Sequence, residues 1–141
     1  MSISDIITLI GIIISLVYAT IVDTRSRKST DAMNEISIAN RISDTLRELR
    51  IYKEKIMSYD SQNGVKMEDL KLLYEEAYED YISAYNEACQ YYLDGKIDKD
   101  RFVKRYFRDI QRFVEDDSFY KQYKHNFSAI QKFYDENKQT D

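Results

Sequence analysis

Residues 6–22 read IITLIGIIISLVYATIV, seventeen positions without a charge, and Asp23, Arg25, Arg27 and Lys28 follow at once. At ~1.5 Å of rise per residue the run makes ~26 Å of helix, close to the ~30 Å hydrocarbon core of a bilayer. Ile3 and local thinning of the bilayer cover the deficit. Eleven of the seventeen are Ile, Leu or Val. At roughly −0.5 kcal/mol each on an insertion scale, they outweigh the hydroxyls and the one glycine. Two readings compete. A buried core helix is one. The other, a cleaved signal peptide, needs a basic start and small residues at a cleavage site. The run is instead preceded by Ser2, Ile3, Ser4 and Asp5, and nothing after Tyr18 suits cleavage. The expectation is an uncleaved membrane anchor over residues 1–28.

The flanks orient this anchor. Positive residues stay on the cytoplasmic side, so Arg25, Arg27 and Lys28 put the N-terminus outside and the body in the cytoplasm. Cys89, the only cysteine, agrees with a reducing compartment. Inside the span Gly11, Ser15 and Ala19 fall at i, i+4 and i+8. A face of small residues lets helices approach closely in lipid, so homo-oligomerisation through it is one reading. Chance in an Ile-rich helix is the other.

Residues 29–141 suffice for one core and not for two. There is no proline, and of three glycines (Gly11, Gly64, Gly95) two sit where helices would end. The net charge of −4 argues against nucleic acid as a partner. The fold class expected is all-α: a single N-terminal transmembrane helix, then a small up-and-down bundle of four helices over residues 29–134, then a frayed polar tail, residues 135–141.

Within that body Ser29, Thr30 and Asp31 offer N-cap oxygens. Ile38, Ile42, Thr45, Leu49, Tyr52, Ile56 and Tyr59 then alternate steps of four and three, a heptad seam that suits either the rest of the domain or a second copy. The segment SQNGV, residues 61–65, closes that helix. A second, about residues 67–93, carries the stripe Leu70, Leu73, Ala77, Tyr81, Ala84, Ala88 and Tyr91 and stops at Asp94-Gly95. Asp98 caps a third, whose apolar face is Phe102, Val103, Tyr106, Phe107, Ile110, Phe113 and Val114. The last helix holds Phe119, Tyr123, Phe127, Ile130, Phe133 and Tyr134. Seven acids on the second helix against seven bases between residues 96 and 112 suggest an antiparallel, charge-paired hairpin, in which the pairs set register more than stability.

Chemistry has few candidates. Residues 94–102 look like half of a calcium loop, but Gln90 and Tyr92 would stand at the first two ligand positions and Arg101 at that of the bidentate glutamate. His125 is the only histidine, too few for zinc or a di-metal bundle. Cys89 has no partner base. Glu75 and Glu79 read as an exposed acidic face. No catalytic residue, cofactor or metal is expected. Arg101, Arg105, Arg108 and Arg112 form a continuous stripe whose guanidinium forks suit an acidic protein surface; pairing within the chain is the plainer account. Tyr74, Tyr78, Tyr81 and Tyr85 make an aromatic face, either core packing or a protein-binding surface in which Tyr74, Tyr78 and Tyr85 are the candidates.

Residues 85–113, YNEACQYYLDGKIDKDRFVKRYFRDIQRF, resemble small single-span bacterial membrane proteins of unknown function, which share the helix-Asp-Gly-Lys-Ile-Asp-helix corner of Asp94 to Asp98. The resemblance implies a bacterial inner-membrane address, the helical body, and a place among accessory genes such as those of phage defence. It carries no catalytic residue. The function expected is a membrane-anchored cytoplasmic module that binds a protein partner, an accessory or regulatory subunit of a membrane-associated complex. The alternative is a membrane effector that oligomerises through its transmembrane helix.

Overall fold

The computed structural model describes residues 3–60, 64 and 66–138. Among the described residues the chain is all-helical. Helix α1 is Ile3–Met57, α2 Met67–Leu93, α3 Lys99–Asp116 and α4 Ser118–Tyr123; a 3-10 turn, Lys124–Asn126, precedes α5, Ser128–Asn137. Of the segment expected to close the first helix of the body, residues 61–63 and 65 lie outside those described.

Helix α1 runs 55 residues without a break, about 80 Å at 1.5 Å each. A fresh start at residues 29–31 does not occur. The Thr30 hydroxyl donates to the Ser26 carbonyl at 3.0 Å instead of capping. Ser15, Thr20 and Thr24 bond back to Gly11, Leu16 and Thr20 in the same way. Hydroxyls satisfied by their own helix do not draw its backbone into a cap or turn, and no Gly or Pro lies between Gly11 and Gly64. The apolar run and the first helix of the body are therefore one rod. The run is not a core helix of the body: its apolar window has a mean hydropathy of 1.5 and is 0% buried. It is long and apolar enough to cross a membrane.

The seam of α1 faces inward. Ile38, Ile42 and Leu49 are buried, and Thr45, Tyr52, Ile56 and Tyr59 part-buried, against α2, the most extensive helix pair in the chain. Helix α2 ends in a Schellman motif: the Gly95 N–H donates to the Tyr92 carbonyl and the Lys96 N–H to that of Tyr91. Gly95 has φ +67°, a region that costs other residues roughly 1–2 kcal/mol. The corner is then latched to α1. Asn34 donates to the Lys96 carbonyl at 2.9 Å, and Glu35 accepts from the Asp98 N–H at 3.2 Å.

Asp98 caps α3 by accepting from the Arg101 N–H at 2.9 Å. Phe102, Tyr106, Ile110 and Phe113 are buried on one face, as their spacing predicts. The last segment departs from expectation, because the single helix there is broken. Phe127 leaves helical geometry (φ −121°, ψ 48°) and buries its ring. The N–H groups of Ala129 and Ile130 that this frees are taken up by Asn86 Oδ1 of α2 at 3.0 and 3.3 Å, a cap supplied by another helix. The tail does not fray at Asp135 either. Helix α5 continues to Asn137, whose amide meets the Tyr92 hydroxyl at 3.2 Å.

One core residue is badly served. Tyr120 is 1% exposed and its hydroxyl has no hydrogen-bond partner. Burial pushes its phenol up to about 12. A buried hydroxyl without a partner costs about 1–3 kcal/mol, so Tyr120→Phe is expected to stabilise the body by about 1 kcal/mol or more. A loss of stability in urea unfolding would show that the hydroxyl has a partner in solution.

Candidate functional site

Two surface clefts flank α3, and between them they take in Arg101, Arg105, Arg112 and Tyr78 of the sequence candidates. The first, about 350 Å³, lies between α1 and α3 and is lined by Glu35, Ile38, Arg101, Phe102, Lys104, Arg105 and Tyr106. Its floor is apolar and its rim basic. Arg101 is tied down, 3.0 Å from Glu35 and 3.6 Å from Asp98. Arg105 lies over the Tyr106 ring, 5.2 Å from its centroid, within cation–π range. Lys104 and Arg108 are exposed and have no ion-pair partner among the described residues. Arg101 is thus fixed and Arg105 rests on a ring, while Lys104 and Arg108 are open to an acidic group.

The second cleft, about 320 Å³, is lined by Tyr78, Tyr81, Asp109, Arg112, Phe113, Asp116 and Asp117. Here aromatic walls carry carboxylates. Tyr78 donates to Asp117, Tyr85 donates to Asp109 at 3.1 Å, and Arg112 stands 3.9 Å from Asp109. The Tyr78 ring stacks on Tyr74 and meets the edge of Phe119. Such a site suits a cationic side chain.

The tyrosine face divides. Tyr74 and Tyr78 are half-buried, Tyr78 on the wall of the second cleft, but Tyr85 is 3% exposed, packed edge-on against Tyr106 and Phe113. Tyr85 belongs to the core and offers nothing to a partner. Charge pairing between α2 and α3 is likewise corrected. No α2 acid pairs with an α3 base among the described residues; Glu87 pairs with Arg41 of α1 at 2.7 Å. The reason is steric, because aromatic rings fill the space between α2 and α3 and leave the charges on the outer faces. Glu75, Glu76, Glu79 and Asp80 are all exposed there.

Gly11, Ser15 and Ala19 stay together on one exposed face of α1, and a Cβ added at Gly11 would meet nothing within 4 Å. Arg25, Arg27 and Lys28 are also exposed on α1, with Arg27 bonded to Asp23 at 3.0 Å. His125 is exposed in the 3-10 turn. Among the described residues no group of three or more His, Cys, Asp or Glu is placed to hold a metal ion. Cys89 has no exposed surface, and burial holds its thiol well above the usual range, which disfavours the nucleophilic thiolate. Asn34, Glu35 and Asn86 were not legible as structural residues, since each acts on a group more than forty positions away.

The buried phenols make a pH prediction. Burial raises Tyr78, Tyr85, Tyr106 and Tyr120 above the ordinary 10.0, helped at Tyr78 by its bond to Asp117. Their folded values exceed their unfolded ones, so the stability they contribute is fully present below pH 10 and is lost as pH rises through the folded values. The urea midpoint is expected to fall between about pH 8 and about pH 11, with buried tyrosines ionising only on unfolding. A midpoint that does not move would contradict this.

Compared with protein-family models, with curated sequences and with solved structures, the chain matches none.

Proposed function

We propose that this is a bacterial inner-membrane protein with one span, N-terminus outside, whose cytoplasmic helical body binds another protein. It would serve as an accessory or regulatory subunit of a membrane-associated complex, phage defence among the settings. The observation that carries this reading is the continuity of α1. An exposed apolar run passes without a joint into a helix that packs the body, so the anchor holds the body in a fixed attitude. Tethering raises the local concentration of a partner in the same membrane, and a rigid tether also sets its orientation. The body is read as an up-and-down bundle, α2 returning beside α1 and α3 and α5 following.

The contact surface that fits best is the basic cleft with Lys104, Arg105 and Arg108, none of them in an ion pair among the described residues. These point to an acidic protein surface. Tagged protein purified from native membranes in mild detergent should bring one stoichiometric partner, identified by mass spectrometry. Arg105→Glu with Arg108→Glu should lose it. Unchanged recovery of the partner would remove this surface from consideration.

A second reading is favoured by the exposed small-residue face of the span. In it, the protein is a membrane effector that assembles through Gly11, Ser15 and Ala19. Gly11→Ile with Ser15→Leu should abolish an effector's activity and leave a tethered adaptor working.

A further inference from the structure

The outward side of α1 just beyond the membrane run is the part of the surface least accounted for by the chain's own packing. Ile38 and Ile42 turn toward α2, whereas Met33 and Ile36 are 69% and 62% exposed. At 3.6 residues per turn those two lie roughly opposite the α2-facing side. They belong to a longer pattern. Steps of three and four between residues 12 and 43 pass through Val22, Ser26, Ser29, Met33, Ile36 and Asn40; every position is exposed and none is charged. Yet seven of residues 23–43 are charged, all of them off this line. The pattern spans more than four heptads, with Ile12, Ala19, Val22, Met33 and Ile36 as its apolar positions and Ser15, Ser26, Ser29, Asn40 and Ser43 as its small or polar ones.

We propose that this face pairs two copies of the chain in parallel, as a coiled coil that leaves the membrane and continues along the body. The parallel direction rests on the anchor reading above. Two copies held by the same span stand at the same height, so each position meets its own counterpart. The unbroken α1 carries that register past residues 29–31, where a joint would have lost it. The flanking charges permit the arrangement. In parallel register Arg25 faces Thr30 of the other copy, Ala32 faces Ser37 and Ala39 faces Asp44, with no like charges opposed. Asn40 occupies an a position, where asparagine selects two strands and fixes register. Because the face is turned away from α2, pairing displaces nothing in the body.

The test is disulfide trapping in native membranes with copper–phenanthroline as oxidant. Cys89 is fully buried, so the full-length chain carries no competing exposed thiol. Ser29→Cys, Met33→Cys and Ile36→Cys should each give a covalent dimer, several-fold more than Lys28→Cys and Asp31→Cys on the α2-facing side, because a disulfide needs Cα atoms within about 7 Å. Met33→Glu with Ile36→Glu, both at exposed sites, should remove the Ser29→Cys dimer and leave the protein in the membrane pellet. Equal trapping at all five positions would mean random collision and overturn the seam. No trapping in a chain that stays in the pellet would overturn it too, with the anchor intact. Loss from the pellet would overturn the anchor reading and the parallel pairing with it.

Discussion

Replacing Phe133 by alanine is expected to cost the body about 3–5 kcal/mol. Phe133 has no exposed surface, and its ring lies edge-on to Tyr92 at 4.8 Å and to Phe102 at 5.3 Å. Phe107 closes the third side at 6.3 Å. That ring fastens α5 to α2 and α3 together. With 10 residues, α5 is too short to be helical alone, so its order depends on this packing. Small domains hold a margin of about 5–15 kcal/mol, and the variant should lose much of it, read as a lowered urea midpoint in detergent. Phe133→Leu, which keeps most of the volume, should cost less than half as much. Equal stability of the alanine variant and the parent would mean that α5 is held some other way.

The second large effect concerns the apolar run of α1, residues 6–22, read above as a membrane span. Ile13→Arg with Val17→Arg places two guanidinium groups near its middle, each costing roughly 2.5–3.5 kcal/mol on the insertion scale. Together they cancel the roughly 5–6 kcal/mol gained from the eleven aliphatic side chains. The double variant should leave the membrane fraction, while the body, whose core begins at Ile38, should unfold at an unchanged midpoint. Ile13→Leu with Val17→Leu should stay in the membrane. Retention of the double arginine variant would mean that α1 is held by something other than its apolar run.

Periodicity made much of this molecule legible. The apolar faces of α1 and α3, the Asp94-Gly95 stop and the Asp98 cap are local properties, fixed by residues within a turn or two of one another. Where the reading missed, the deciding contact was distant or competed with a local signal. Ser29 and Thr30 look like caps, but the Thr30 hydroxyl finds a carbonyl one turn back and the helix does not stop. The break before α5 depends on Asn86, more than forty residues away. Leu73 fits the stripe of α2 yet is 37% exposed. Tyr85 could not be told from Tyr74 or Tyr78 by spacing. Only the approach of Tyr106 and Phe113 buries it and leaves the other two half-buried.

The claim on which the rest depends is that α1 crosses a bilayer with its basic flank and the body inside. It is tested most directly by labelling intact cells with a membrane-impermeant maleimide, using Ser4→Cys and Lys104→Cys variants of the full chain. The account predicts that Ser4→Cys reacts from outside and that Lys104→Cys reacts only once the membrane is opened. Labelling of Lys104→Cys in intact cells, or protection of both positions, would contradict it.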